Sequence, residues 1–369
     1  PEFIHHIGDV PRLQRFASGF LTPPEEGATF EERRRPLADY YDLRYLSCAI
    51  SALHGEDPLV YRPRFVEFVD TFIRTLYAVV LREEMSAASA PPVTRDLFAV
   101  FATGGYAREQ AFDDDYDLLP VLNTTDPDIE ALVNRAWQRV HREIVRRGTI
   151  PQYRFADHFG GFVTRLEVLE DFFRSGASDT VDEAQVLGLR LVAGSSRMTT
   201  AIAGRVVRPL VFPRADRFIS RIAEDMRERH ALAGPADQGV DIKDGIGGLR
   251  DVEQILLVLN IRYQVMEPVT PRLYEMLAVV AEGHADELSV LARRHRFLRE
   301  VRDLYRLTVA ASDEILREHL APVDAILRAR GLELPDGPDG LFDVLLDSME
   351  QVRAACRAIL QDLGCGSCP

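Results

Sequence analysis

Cysteine is scarce in this 369-residue chain, which has only Cys48, Cys356, Cys365 and Cys368. So few thiols argue against a disulfide-built secreted scaffold and fit a reducing cytoplasm. The chain has no uninterrupted apolar run of about 18 residues and no N-terminal basic head, apolar run and cleavage site in succession, which argues against membrane spanning and secretion. Basic charge is in deficit, with 44 Lys and Arg against 58 Asp and Glu and a net charge of -14. Such a chain repels polyanions at long range, so nucleic acid is disfavoured as a macromolecular partner. One nucleoside triphosphate is compatible, because a metal ion and a few local Arg or Lys residues can neutralise it. The G-x-x-x-x-G-K-[ST] loop, the G-x-S-x-G elbow and the H-E-x-x-H helix are all missing, and the P-loop, serine-hydrolase and zincin classes go with them.

Weaker signals carry little. Cys365-Gly366-Ser367-Cys368 has the spacing of half a zinc knuckle or a redox pair, with no second pair to complete it. His5-His6 sits near a chain end, and Arg33 to Arg35 follows Glu31 and Glu32 as a solvated surface run. Pro1-Glu2-Phe3 reads as a cloning-derived junction, which suggests a segment taken from a longer protein.

Apolar residues at three- and four-residue spacing predict helices over 36–53 and 63–84, and the small-residue and proline stretch from Ser86 to Pro92 marks a boundary. Beyond it, β-prone runs over 97–102, 116–122, 150–155 and 161–166 predict strands, with a helix over 129–147 begun by Asp128 as N-cap or first-turn acid. From Glu167 onward the pattern is helical, with helices expected near 180–191, 218–232, 248–266, 271–280, 288–307 and 342–363. The fold class expected is α+β: an N-terminal helical segment (1–92), a small mixed-sheet core (93–200) and a C-terminal helical domain (201–369).

The most informative stretch is GGYAREQAFDDDYD, residues 104–117, between two candidate strands. Asp115 and Asp117 lie two apart on a β-prone run, so both carboxylates emerge on one face. Holding them together is costly without a cation, and Mg²⁺ takes one or two carboxylates together with phosphate oxygens and water. Gly104 and Gly105 allow backbone amides to approach a phosphate, and Arg108 supplies a charge-assisted contact. An isolated acidic cluster is ordinarily a solvated turn. Here Leu118-Leu119-Pro120-Val121 follows, so the acids stand at the mouth of an apolar strand.

A second motif, DIKDGIGGLRDVE at 241–253, sets Lys243 before a glycine turn that enters an apolar helix. It reads either as a helix-connecting loop with Asp251 and Glu253 in a favourable first turn, or as Lys243 and helix-start amides reaching phosphate.

The first motif resembles the polymerase-β-type nucleotidyltransferase superfamily: a glycine pair, a variable turn, then two acids one residue apart. Against the PII-uridylyltransferase pattern GGYGRGE, this chain has Ala107, Glu109 and Gln110 where glycine, glycine and glutamate are usual. The glutamine synthetase adenylyltransferase pattern, Arg-Glu, five residues, then Asp-x-Asp, fits Arg108, Glu109, Asp115 and Asp117 without a gap. The second motif closely resembles the K-x-G-x-GG-[LI]-R-[DE]-[IV] segment that follows the catalytic domain in both enzymes. LEVLEDFFRSG (166–176) and RLVAG (190–194) also look like adenylyltransferase sequence, so the resemblance covers residues 95–310.

The resemblance implies a Mg²⁺- (or Mn²⁺-) dependent transfer of AMP or UMP from an NTP to a protein hydroxyl, on a metabolic enzyme or signal protein, with removal of the nucleotide by some members. It implies metal and catalytic roles for Asp115 and Asp117, and nucleotide contacts from Gly104, Gly105, Arg108, Lys243, Gly247, Gly248 and Arg250. For the third carboxylate the candidate is Asp157, with Glu167 as substitute and a strand-ending turn as the plain alternative at Asp157. The rival reading is a nucleotide-sensing or partner-binding module of the same fold without catalysis.

Overall fold

The computed structural model describes residues 9–21, 29–88, 97–113, 115–232, 234, 238–335 and 337–365. Pro1 to Phe3, His5-His6, part of the 86–92 boundary and the far half of the Cys365/Cys368 pair lie outside them. The chain divides into two compact units, Pro1–Ser51 with Leu59–Leu210 and Ala52–Pro58 with Val211–Pro369. The architecture is α+β, a small mixed sheet with helical segments before and after it.

In the first unit, α1 (Val10–Ser18) precedes two long helices, α2 (Phe30–Leu53) and α3 (Pro58–Ala88). Both extend further than their apolar periodicity predicts, and each contains a proline, Pro36 and Pro63. For α2 the reason lies at its start. The Thr29 hydroxyl accepts the Glu32 amide at 3.3 Å while a Glu32 carboxylate oxygen accepts the Thr29 amide at 2.7 Å. This reciprocal T-x-x-E cap satisfies orphan donors a turn before Pro36.

The sheet follows: β1 (Phe98–Ala102), the one-turn α4 (Gly104–Ala107), β2 (Asp115–Leu122), α5 (Pro127–Val145), β3 (Ile150–Gln152), α6 (Ala156–Phe159), β4 (Thr164–Arg165), α7 (Leu166–Ser175), α8 (Thr180–Leu187) and β5 (Arg190–Gly194). The strand order is β3-β2-β1-β5, with β4 also on β2. β1 runs antiparallel to β2 and β5, whereas β3 and β4 run parallel to β2, so the sheet is mixed. β1 is buried throughout and Trp137 of α5 is fully buried, its indole nitrogen donating to the Tyr153 hydroxyl at 3.1 Å. Asp126 caps α5, accepting from the amides of Asp128 and Ile129; Asp128 is therefore the first-turn acid.

Two expectations change here. The predicted strand over 150–155 stops at Gln152, because Tyr153 to Phe155 turn into α6, which Gly160 closes. The predicted helix over 180–191 ends at Leu187, and Arg190–Gly194 instead completes the sheet beside β1. α9 (Ser196–Ile202) and a π-helical stretch, Ala203–Val211, close the unit.

The second unit contains α10 (Ala215–Leu232), α11 (Leu249–Tyr263), α12 (Thr270–Val280), α13 (Ala285–Thr308), α14 (Ala321–Ala329) and α15 (Gly337–Asp362). Five match predicted helices within a few residues. The sequence reading missed α14 and a two-stranded ribbon, β6 (Gly239–Asp241) antiparallel to β7 (Glu314–Leu316). Three-residue strands are too short to show a period of two. Cys48 and Cys356 are buried, and no disulfide joins the described cysteines. Among the described residues no helix is long and apolar enough to cross a membrane.

Candidate nucleotide and metal site

Asp115 and Asp117 open β2, both half-buried, with the fully packed Tyr116 between them on the other face. The strand period thus sets the two carboxylates side by side. Opposite them the chain leaves β1 through Thr103, whose amide donates to the Asp117 carbonyl at 2.9 Å, and turns at Gly104. Gly104 has φ +54°, and a Cβ added there would lie 1.9 Å from Asp117 Oδ2. A bare backbone is therefore required at this point, both by the left-handed conformation and by the carboxylate pressed against it. At Gly105 an added Cβ would meet Gln110 Oε1 at 2.2 Å. The leading amides of α4, which have no intrahelical acceptors, thus begin directly beside the Asp117 carboxylate.

The altered glycine pattern has a structural answer. After α4 the Gln110 amide donates to the Gly105 carbonyl at 3.1 Å and the Glu109 amide to the Tyr106 carbonyl at 3.4 Å, the two bonds of a Schellman closure. Its left-handed residue is Glu109, at φ +62°. The backbone conformation that glycine adopts freely is thus retained by a glutamate, at a cost of roughly 1–2 kcal/mol. Phe112 is left-handed too, at φ +55°, and is held by Tyr45, Tyr61 and Phe65 at ring separations of 5.7, 5.8 and 5.0 Å. Arg108 caps α4, half-buried.

The third carboxylate is a different matter. On β3 the residue paired with Asp117 is Gln152, and Asp157 lies five residues further on, exposed on α6. Among the described residues no three Asp, Glu, His or Cys side chains gather closely enough to hold a metal ion. Asp157 therefore does not complete a three-ligand set with Asp115 and Asp117, and neither does Glu167 in the first turn of α7. Two carboxylates with phosphate oxygens and water still suit Mg²⁺, whose octahedron seldom comes from protein alone. Asp115 and Asp117 would supply two such carboxylates, half-buried on one face of β2.

The second motif is knotted within its own unit. Asp241 Oδ1 accepts the amides of Lys243 and Asp244 at 2.9 and 2.7 Å. The Gly247 amide donates to Asp251 Oδ2 at 2.7 Å and the Gly248 amide to the Gly245 carbonyl at 2.9 Å. Gly247, at φ +73°, lies so close to the chain at Met349 that an added Cβ would meet that carbonyl at 1.9 Å. Asp251 is fully buried and also accepts from Arg229 at 2.6 Å and from His230 at 2.8 Å. Burial alone would raise its carboxyl pKa, but the His230 hydrogen bond and the Arg229 charge outweigh that and hold it below the usual range. Arg250 pairs with Asp244 at 2.8 Å, and Lys243 lies 3.9 Å from Asp313, which also takes Arg302 at 2.6 Å. The phosphate contacts expected of the Gly247 and Gly248 amides are thus replaced by bonds that close the turn. The sequence reading took Asp251 as a first-turn acid; its buried pairing with Arg229, His230 and the Gly247 amide is what it did not show.

A family profile described as PII-uridylyltransferase matches residues 217–360, wholly within the second unit. Bifunctional uridylyltransferase/uridylyl-removing enzymes are similar to the chain: one from Bradyrhizobium sp. (strain ORS 278) is 27% identical over 201 residues, 54% of this chain. Those from Ruegeria pomeroyi and Pseudomonas fluorescens are each 24% identical, over 59% and 63% of the chain. The matched segments span only 20%, 23% and 24% of these three relatives. The chain resembles the nucleotidyltransferases. Within them its likeness is to the PII-uridylyltransferase type.

Three outcomes follow. Gly104→Ala forces a Cβ into Asp117 at positive φ and should cost about 1–3 kcal/mol, seen as an earlier urea midpoint. Asp251→Asn leaves Arg229 and His230 facing a neutral group in the interior and should cost about 3–5 kcal/mol at pH 7. The native Asp251 pKa is depressed, so its contribution is full above the unfolded value of about 3.9 and is lost as pH falls through the folded one. The gap between wild type and Asp251→Asn in urea titrations should therefore narrow below about pH 4.

Proposed function

We propose that this chain transfers a nucleoside monophosphate from an NTP to a hydroxyl of a protein acceptor in the cytoplasm, with Mg²⁺ or Mn²⁺. The uridylyl group is the first candidate, on the names of the similar enzymes; the gapless Arg-Glu-x₅-Asp-x-Asp spacing keeps the adenylyl group as the other. The single observation that carries the reading is the contact of Gly104 with the Asp117 carboxylate beside Asp115.

In this reading Asp115 and Asp117 hold the ion, and the amides at Gly104 and Gly105 with Arg108 steady the outer phosphates. The bound ion supplies charge neutralisation at the phosphates and makes the α-phosphorus more electrophilic. The acceptor oxygen forms a bond to that phosphorus, the bond to the β-phosphate oxygen breaks, the hydroxyl proton is released, and pyrophosphate leaves. Removal of the group from the acceptor, as in the enzymes named uridylyl-removing, is included in the proposal. A signal protein or metabolic enzyme is the acceptor class, and the net charge of -14 disfavours nucleic acid in that role.

One observation favours a second reading, a sensor without turnover: Gln152, not an acid, stands beside Asp117 on β3. Incubation with each NTP, Mg²⁺ and candidate acceptors, followed by intact-mass analysis, separates the two. The transferase reading expects a nucleotide-sized mass gain that disappears in Asp115→Asn/Asp117→Asn. Metal-dependent nucleotide binding with no mass gain on any acceptor would favour the sensor.

A further inference from the structure

The back of the acidic site contains a buried ion pair that the front does not use. Tyr106 follows the glycine pair and Tyr116 separates the two aspartates; both rings are buried, with centroids 4.8 Å apart. The Tyr106 hydroxyl donates to Asp70 Oδ1 of α3 at 2.5 Å. Arg190 of β5 donates to both oxygens of the same carboxylate, with Nη2 at 3.1 Å from Oδ1, and its guanidinium carbon lies 5.0 Å from the centre of the Tyr106 ring. Asp70 is 7% exposed and the Arg190 side chain 14%. Beside this cluster, the Tyr41 hydroxyl of α2 lies 2.6 Å from the Tyr116 hydroxyl and 3.2 Å from Thr149.

Burying such a pair is expensive, and well-packed apolar side chains commonly stabilise an interior as well. What the pair adds is direction. Asp70 Oδ2 accepts from Arg190 of the strand, and Oδ1 accepts from both Arg190 and the tyrosine of α4, so one carboxylate ties α4 to β5. Burial, with the Asp70 charge adding to it, pushes the Tyr106 hydroxyl well above its ordinary pKa, so it remains a donor at every working pH. Gly104 stands two residues before Tyr106, against the Asp117 carboxylate.

We propose that Asp70 and Arg190 are positioning residues: through the Tyr106 hydroxyl they hold the 104–110 turn in register with Asp117, and so set the spacing between phosphate-approaching amides and metal-binding oxygens. The consequence for turnover rests on the nucleotidyl-transfer reading, whereas the consequence for the turn does not.

The test uses Tyr106→Phe, which removes one hydroxyl and keeps the ring, and Asp70→Asn, which keeps size and removes the charge facing Arg190. Amide hydrogen exchange is measured across the chain, with α5 as internal reference, and NTP kinetics are measured well below the melting temperature. Both variants are expected to exchange about five- to tenfold faster over residues 103–110 with α5 unchanged, and to raise the KM for the NTP more than they lower kcat. Unchanged exchange in the turn, or acceleration spread evenly over β1, α5 and the turn, would overturn the proposal in favour of a plain packing role. A wild-type chain that turns over no NTP would refute the transferase reading, and the exchange comparison would still decide the positioning role.

Discussion

Everything in the candidate site depends on the contact between a glycine backbone and a carboxylate. Asp117 cannot lie where it does unless residue 104 lacks a side chain, and α4 cannot begin beside it unless that residue also accepts a positive φ. The contact is supported from three directions. β1 and β2 pair in register from Phe98 opposite Leu122 to Ala102 opposite Leu118, which fixes the height of the turn above the acids. The Schellman closure at Glu109 returns the chain toward β2. Phe112, wedged among Tyr45, Tyr61 and Phe65, anchors the remainder to α2 and α3. The N-terminal helices are thus the back wall of the site, and this gives the buried Asp70 and Tyr41 a purpose.

Much of this was legible in the sequence, and what was not has physical causes. Strand alternation showed that Asp115 and Asp117 share a face, and helical periodicity located most of the long helices. Helix starts were less visible: Pro36 looked like a beginning, although Thr29 and Glu32 form a cap a turn earlier. β5 was hidden because Arg190–Gly194 directly follows a helical stretch and pairs through a register shift at Val100/Phe101. The departures Ala107 and Glu109 looked like erosion of a glycine turn. Backbone angles were needed to see that Glu109 keeps the left-handed residue in place. Asp157 illustrates the opposite limit, where a carboxylate at a plausible spacing is carried away by a turn that spacing does not reveal.

The two motifs do different physical work. In the first unit, two half-buried acids share one face of β2 beside the Gly104 turn. In the second, Asp251 gathers Arg229, His230 and the Gly247 amide into a closed knot that stabilises the turn entering α11. The family profile falls on the second unit, whereas the stretches matched by the similar enzymes cover 54–63% of the chain and so reach beyond it; the proposed chemistry rests on β2 and α4. A net charge of -14 sharpens the point, since a triphosphate approaching this chain needs local neutralisation at the acids that would otherwise repel it.

The most direct measurement is Mn²⁺ titration followed by the electron paramagnetic resonance of the free ion, with and without a non-hydrolysable uridine triphosphate analogue, on wild type and Asp117→Asn. The account predicts that nucleotide and ion strengthen each other's binding in wild type and lose that coupling in the variant. Equal ion uptake by both proteins in the presence of the nucleotide would contradict it.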